Sequence, residues 1–206
     1  MINDMNKFIA IVGSNSNKST NRELLKYMKN HFQNQAEIEL VEIKGLPIFK
    51  KSADKYVPQA AKDIAKKIEA SDGVIITTPE YDHSIPAVLS SALAWLSYGI
   101  HPLLDKPVMI TGASYGSLGS SRAQSQLRQI LDSPELKARI MPSSEFLLGH
   151  SLQAFDDQGN LKDEIASKQL DGLFKDFLQF VDISKQLNNA NAASKQKAEQ
   201  FSWDKD

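Results

Sequence analysis

Short apolar runs, each ended by glycine, proline or polar residues, recur along the chain. The runs at residues 8–12, 73–78 and 108–111 are continuous and rich in isoleucine and valine. Such runs predict parallel strands that are buried on both faces, because a half-exposed strand would alternate with polar residues. Weaker alternation over residues 37–43 predicts a strand nearer the edge of the sheet, and residues 139–148 predict a fifth strand region.

The segments between these strands carry apolar residues at helical spacing. They predict helices over about residues 21–32, 57–70, 87–98 and 122–131. A closing helix has its apolar positions at Ile165, Leu170, Leu173, Phe174, Phe177, Leu178 and Val181. Strictly alternating strands and helices predict an α/β fold: a flavodoxin-like, doubly wound, five-stranded parallel sheet of order 2-1-3-4-5 in a three-layer αβα arrangement.

Three unusual polar loops follow the first, third and fourth predicted strands. In the order 2-1-3-4-5 these loops converge at the point where the strand order reverses, which is where open α/β sheets bind ligands. The first loop, residues 13–21, is rich in serine and asparagine and leads into a helix N-terminus. Free backbone N–H groups and the helix dipole make such a place an anion site. The alternative is that the hydroxyl groups only form turns and helix caps.

The other two loops add groups that suit a flat ligand. Residues 77–86 supply proline and Tyr81, and residues 112–121 are rich in glycine, which allows close backbone approach. Together with an anion site they fit a planar ring with a terminal phosphate, such as flavin mononucleotide (FMN). Glu80 and Asp82 could act as a carboxylate pair, but we favour Glu80 as an acceptor for backbone N–H groups of the loop. A flavin brings its own redox chemistry, so we predict no catalytic side chain.

Composition narrows the class of protein and its partners. The chain has 206 residues, 41% hydrophobic and 24% charged, with a formal net charge of -1, which is typical of one globular domain. A balanced charge does not favour nucleic acid or an anionic membrane as a partner. The lack of cysteine excludes disulfides and thiolate catalysis, and the four histidines show no metal-ligand spacing, so no metal is predicted.

The N-terminal residues and the length of the apolar runs predict where in the cell the protein resides. No run approaches the roughly 20 apolar residues that span a bilayer, and residues 1–7 lack a signal-type pattern, so we predict a cytoplasmic protein. Residues 1–187 are predicted to form the flavodoxin-like domain. Residues 188–206 are predicted to be a polar tail, in which Phe201 and Trp203 either dock on another surface or simply extend from the domain.

Three segments resemble the NADPH-dependent FMN reductase family, which includes quinone, chromate and azo-dye reductases. Residues 13–21, GSNSNKSTN, are similar to the family's phosphate loop GSxRxxSxN. Residues 79–96, PEYDHSIPAVLSSALAWL, are similar to PEYNxSxPGxLKNAxDW, which is the most specific of the three motifs. Residues 112–128 are similar to GASxGxxGGxRAQxxLR. The order of these three motifs and the spacing between them match the family pattern over about residues 7–150.

The resemblance implies an oxidoreductase that binds FMN non-covalently, takes hydride from NADPH or NADH and reduces a quinone, azo compound, metal oxyanion or free flavin. It also implies a homodimer or homotetramer, with Trp95 and residues 98–104 as candidate interface residues. Carried over position by position, the cofactor-binding residues are Ser14, Ser16, Ser19, Thr20 and Asn21 around the phosphate, Pro79, Glu80, Tyr81, Asp82, His83 and Ser84 along the isoalloxazine ring, and Ser114, Tyr115 and Gly116 on its other side.

Two departures from the family pattern change the expectations. The arginine of the phosphate loop is Ser16 here, which predicts weaker FMN retention unless Lys18 substitutes as a point charge. The asparagine of PEYN is Asp82, and a carboxylate near the flavin predicts a lowered flavin potential. The alternatives are an FMN-binding electron carrier or regulatory flavoprotein that a partner protein reduces, and a relative of the fold that has lost FMN. A net charge of -1 argues against a carrier, because flavodoxin-type carriers are strongly acidic.

Overall fold

The computed structural model describes residues 5–142 and 144–187. The strands are β1 (Asn6–Val12), β2 (Ala36–Glu42), β3 (Gly73–Thr77), β4 (Pro107–Ala113), β5 (Arg139–Ile140) and β6 (Leu147–Leu148). The helices are α1 (Thr20–His31), α2 (Gln59–Glu69), α3 (Ala87–Trp95), α4 (Ser121–Leu131) and α5 (Glu164–Gln186). The predicted order of strands and helices is therefore confirmed, with boundaries that shift by one to three residues. The predicted tail, residues 188–206, lies outside the described residues.

The sheet is parallel and has the predicted order, β2-β1-β3-β4-β5. The fifth position is divided between two short strands, because β5 pairs with the start of β4 and β6 pairs with its end. The fifth strand region predicted over residues 139–148 is thus present as two short strands. Pro142 interrupts it, since proline has no N–H to donate to the ladder. The Arg128 guanidinium fills the gap by donating to the carbonyls of Met141 and Ser144.

Two apolar layers cover the sheet, one on each face. Successive side chains of a strand point to opposite faces, so Ile9 and Ile11 of β1 pack with α2, α3 and α4, whereas Phe8 packs with α1 and α5. The rings of Phe8 and Phe177 are 5.0 Å apart between centroids. Ile165, which the sequence placed on the buried stripe of the closing helix, is 79% exposed, because it lies in the first turn of α5 before the helix reaches the sheet.

A third, smaller cluster forms behind α3. Trp95 and Tyr98 are buried there with Phe49, whose ring lies 4.8 Å from that of Trp95. The Trp95 Nε1–H donates to the Pro47 carbonyl at 2.8 Å. Trp95 and Tyr98, both candidate interface residues, are thus covered by a loop of the same chain. In the described part of the chain, no helix has both the length and the apolar character that a membrane crossing requires.

Candidate functional site

A cavity of about 500 Å³ opens where β1, β3 and β4 end. Its size is within the usual range for small-molecule sites. Two glycines let the loops leave the sheet at close quarters: a Cβ on Gly13 would lie 2.1 Å from the Thr77 carbonyl oxygen, and one on Gly112 would lie 1.9 Å from Ser120 Oγ. The cavity is lined by Ser14, Ser16, Lys18, Ser19, Thr20, Asn21, Pro79, Glu80, Tyr81, Ala113, Ser114, Tyr115, Gly116, Ser117 and Leu118.

The predicted site residues are therefore brought together except for three. Asp82, His83 and Ser84 do not line the cavity. They belong to a tight turn in which Tyr81 and Ser84 exchange backbone hydrogen bonds of 3.0 and 2.9 Å. Asp82 and His83 both have positive φ, 49° and 62°, which matches a type I′ turn, and Asp and His are among the residues that tolerate this conformation. The turn explains an aspartate at position 82 without a contact to a ligand.

The first loop offers hydrogen-bond donors at the end of the cavity beside α1. Ser19 caps the helix, and its backbone carbonyl accepts from Arg22 and Glu23. The amide groups of Thr20 and Asn21 precede these and are the ones that a helix leaves without intrahelical acceptors. The hydroxyl oxygen of Ser14 accepts from the Ser16 amide at 3.2 Å, and the hydroxyl proton stays free to donate to a bound anion.

Arg22 supports this loop from outside the cavity, a role that the sequence did not reveal. Its guanidinium donates to the Ser16 carbonyl at 2.7 Å and to Glu42 Oε2 at 2.8 Å. The hydrogen bond with Glu42 raises the pKa of Arg22 above its ordinary value. Because both ends of the fork are engaged by the protein, Arg22 fixes the loop rather than facing a ligand.

The side chain of Asn21 also serves the fold. Its amide donates to the Ala113 carbonyl at 2.8 Å and accepts from the Ala113 N–H at 3.0 Å, both within the core. This pair of bonds ties the start of α1 to the end of β4, so the two ends of the cavity are held in register. The neighbouring Thr20 hydroxyl lies 2.8 Å from that of Ser151, another residue that the sequence did not single out.

Glu80 anchors the third-strand loop to α4. Its Oε2 accepts from the amides of Arg122 at 3.0 Å and Ala123 at 3.3 Å, and its Oε1 lies 3.2 Å from the Arg122 guanidinium. The residue at the N-cap position itself, Ser120, has φ 67° and makes no capping bond with its side chain. A carboxylate from another loop therefore caps α4. Glu80 accepts backbone N–H groups, as predicted, but they belong to α4 and not to its own loop.

The fourth loop closes the opposite wall. The Ser114 N–H donates to the Leu148 carbonyl, and the Ser114 carbonyl accepts from the Ser151 N–H, each at 3.0 Å. These bonds fix the loop to β6 and to the residues that follow it. The Tyr115 hydroxyl donates to the Lys18 carbonyl at 3.4 Å and so connects the first and fourth loops. Tyr81 and Tyr115, each at least half exposed, flank the mouth of the cavity.

These features fit FMN. One end offers amide and hydroxyl donors for a phosphate, and the other offers backbone groups between two aromatic side chains for a planar ring. Within residues 5–142 and 144–187, no group of three His, Asp or Glu side chains could hold a metal ion. The wall carries no nucleophile paired with a base, which is consistent with a site whose redox chemistry comes from a cofactor.

Comparison with known proteins also indicates a flavin-dependent reductase. The chain is 55% identical over 197 residues to "NADH:(hydroxy)cinnamate reductase subunit CrdA" of Vibrio ruber, covering 95% of this chain and 96% of that one. It is 42% identical over 181 residues to "NADH-dependent flavin reductase subunit 2" of Lactobacillus johnsonii, covering 85% and 97%. Among solved structures, the flavoenzyme NAD(P)H:(acceptor) oxidoreductase FerB of Paracoccus denitrificans matches with a TM-score of 0.77 and 26% identity, covering 87% and 99%.

The sequence also matches a described family over the segment that builds the cavity. Residues 6–153 correspond to the family NADPH-dependent FMN reductase, and this segment contains all three loops as well as strands β1 to β6. The chain therefore belongs to the NADPH-dependent FMN reductase family and is an FMN-dependent, NAD(P)H-consuming oxidoreductase.

Proposed function

We propose that the chain holds FMN in the cavity at the ends of β1, β3 and β4, and that NADH is the preferred electron donor. The observation that carries the FMN site is that one cavity of about 500 Å³ is lined both by the N-terminus of α1 and by Tyr81 and Tyr115. When bound, FMN supplies the hydride chemistry and passes two electrons to an acceptor. The protein binds the flavin, orients it and limits access to it.

The phosphate end is the start of α1. The amides of Thr20 and Asn21, together with the hydroxyl groups of Ser14 and Ser19, donate to the phosphate oxygens in a place where the helix dipole favours negative charge. These groups are preorganised, because Arg22 and Asn21 fix the loop and the helix through contacts outside the cavity. Binding therefore requires little ordering of the protein.

The ring end is formed by two loops that are each fixed to a neighbour. Glu80 holds residues 79–81 against α4, so the backbone of Pro79 and Tyr81 forms one wall. Ser114, Tyr115 and Gly116 form the other. We propose that these walls position the isoalloxazine so that one face stays open to the donor and then to the acceptor.

Two observations support NADH over NADPH. Both of the more similar relatives reported above have NADH in their names. Arg22 is paired with Glu42 and Arg122 with Glu80, so neither arginine near the cavity is free to bind the additional 2′-phosphate of NADPH. We propose a small organic acceptor, since these two relatives are named for (hydroxy)cinnamate and for flavin.

A protein acceptor is a second candidate, favoured by the mouth of the cavity. Tyr115 is 58% exposed and Leu118 is 49% exposed, and exposed apolar side chains around a site mark contact surfaces. Two relatives are moreover named as subunits. On this proposal the chain hands electrons to a further polypeptide, whereas the resemblance to the family supports a homodimer. Light scattering of the purified chain, alone and with co-expressed partners, distinguishes the two assemblies.

The decisive experiment is an anaerobic titration of FMN-loaded protein with NADH and, separately, with NADPH. We expect stoichiometric NADH to bleach the oxidised flavin absorbance rapidly and NADPH to do so more slowly. Stopped-flow rates at equal concentrations measure the preference. If neither nucleotide reduces the bound flavin, the proposed function is wrong; if NADPH is faster, the proposed preference alone is wrong.

A further inference from the structure

We infer that Lys18 supplies the positive charge that selects FMN over unphosphorylated riboflavin, in place of the arginine that this phosphate loop lacks at Ser16. The inference rests on the proposed function, because it concerns the same cavity. It makes a distinct claim: the charge of the phosphate is met here by one ammonium group rather than by a guanidinium fork. This claim predicts how affinity depends on the phosphate and on salt.

The backbone of Lys18 is held at the cavity wall on both sides. Its amide donates to Ser16 Oγ at 3.3 Å, and its carbonyl accepts from the Tyr115 hydroxyl at 3.4 Å. Lys18 also lies immediately before the N-cap of α1, Ser19. Because the backbone is fixed beside the helix N-terminus and the residue lines the cavity, we place its ammonium group at the anion that the first turn binds.

The other cations at this end of the sheet are engaged elsewhere. Arg22 pairs with Glu42, Arg122 pairs with Glu80, and the Lys44 ammonium donates to the Asn17 side chain. Lys18 is exposed and lines the cavity, and its ammonium group makes no ion pair with a carboxylate of the described residues. It is therefore the cation on the cavity wall that a ligand can engage without breaking a protein contact.

Charge balance gives the ligand class. A phosphate monoester carries about -1.5 to -2 at neutral pH, which the amides and hydroxyls of the loop can hydrogen-bond but not neutralise. The carboxylate that also lines the cavity, Glu80, is directed to Arg122 and α4 and adds no competing partner for Lys18. Lys18 thus discriminates between flavins that do and do not carry a phosphate, and leaves the contacts of the ring unchanged.

The test measures dissociation constants of FMN and riboflavin for the flavin-free full-length chain by fluorescence quenching. Hydrogen bonds to charged groups justify an expected loss of about tenfold in FMN affinity for Lys18→Gln, with riboflavin affinity changed by less than about twofold. Lys44→Gln is the matched control, since it removes a nearby lysine that does not line the cavity. The double variant K18Q/S16R should recover FMN affinity, because it restores a phosphate-directed cation.

Salt provides a second readout. Raising ionic strength should weaken FMN binding to the unmodified chain and should weaken it less in Lys18→Gln, while riboflavin binding stays constant in both. An equal loss for FMN and riboflavin, or an unchanged FMN affinity, overturns the inference about Lys18. If the unmodified chain binds neither flavin, the proposed function fails, and the inference fails with it.

Discussion

Replacing Glu80 with alanine tests the link between the third-strand loop, which contains residues 79–81, and α4. The side chain is 11% exposed and accepts from the amides of Arg122 and Ala123 while pairing with the Arg122 guanidinium. The substitution leaves two amides of the first turn without an acceptor and frees residues 79–81 from the helix. We expect losses in both stability and FMN affinity, because one carboxylate fixes both elements.

The magnitude follows from the separate contributions. Loss of a helix N-cap costs about 0.5–2 kcal/mol, and the cost here is at the upper end because both capping hydrogen bonds go to a carboxylate. The ion pair contributes less than about 1 kcal/mol, since the Arg122 side chain is 49% exposed. We therefore expect Glu80→Ala to lower the free energy of unfolding by about 2–3 kcal/mol, which corresponds to a fall in Tm of roughly 5–10 °C for a chain of this size.

Two variants separate the cap from the ion pair. Arg122→Ala removes the guanidinium but leaves both backbone amides bonded to Glu80, so it should cost less than about 1 kcal/mol. Glu80→Gln keeps an acceptor oxygen but removes the charge and should be intermediate. Urea unfolding of the flavin-free proteins gives the free energies, and flavin fluorescence gives the FMN affinity. A Glu80→Ala protein as stable as Arg122→Ala would refute the capping role, and unchanged FMN affinity would show that the loop keeps its conformation without the anchor.

Three further substitutions test the cavity wall, an ion pair at the opposite end of the sheet, and the turn beside the cavity. Asn21→Ala leaves the buried N–H and C=O of Ala113 without partners and should reduce the free energy of urea unfolding by about 2–4 kcal/mol; a loss below about 1 kcal/mol would mean that water replaces the side chain. Burial opposes ionisation of Asp72, but hydrogen bonds from Lys185 and a backbone amide outweigh it and hold its pKa below 3.8. The ionised carboxylate therefore stabilises the fold above about pH 3.8, and this contribution is lost as the pH falls through the lower pKa of the folded state. The difference in unfolding free energy between the unmodified chain and Asp72→Asn should shrink on acidification in that window. A constant difference would contradict the argument. Asp82→Asn should raise the midpoint potential of bound FMN by the equivalent of less than about 1 kcal/mol, because water screens an exposed carboxylate, and an unchanged potential would disprove any influence of its charge.

The architecture and the cavity were predictable from local patterns because each rests on a strong physical rule. Apolar runs without alternation require burial on both faces, and right-handed crossovers then leave few strand orders. The carboxyl ends of parallel strands meet at one edge, so three unusual loops had to converge. By contrast, Pro142 divides the fifth strand through the lack of one N–H group, a local effect that the apolar pattern of residues 139–148 conceals.

Side-chain partners were less predictable, because they depend on where the folded chain places a distant backbone group. Asn21 fits a phosphate loop by position, yet its amide is bound to Ala113, a residue that is far away in sequence and adjacent only after α1 packs on the sheet. The same holds for Arg22 of α1, whose partner Glu42 lies at the end of β2. Asp82 resembled a ligand-facing carboxylate, but the left-handed turn that directs it outward becomes visible only in the backbone.

The charged residues around the cavity act mainly on the protein itself. Arg22 with Glu42 fixes the first loop, and Glu80 with Arg122 fixes the third-strand loop. Each pair balances its own charge, so the wall that faces a ligand is built from amides, hydroxyls and aromatic rings. A wall of this kind orients a flavin through geometry and disturbs the electronic properties of its ring little. On our proposal, selectivity for the phosphate then comes from Lys18, which lines this wall and makes no ion pair within the described residues.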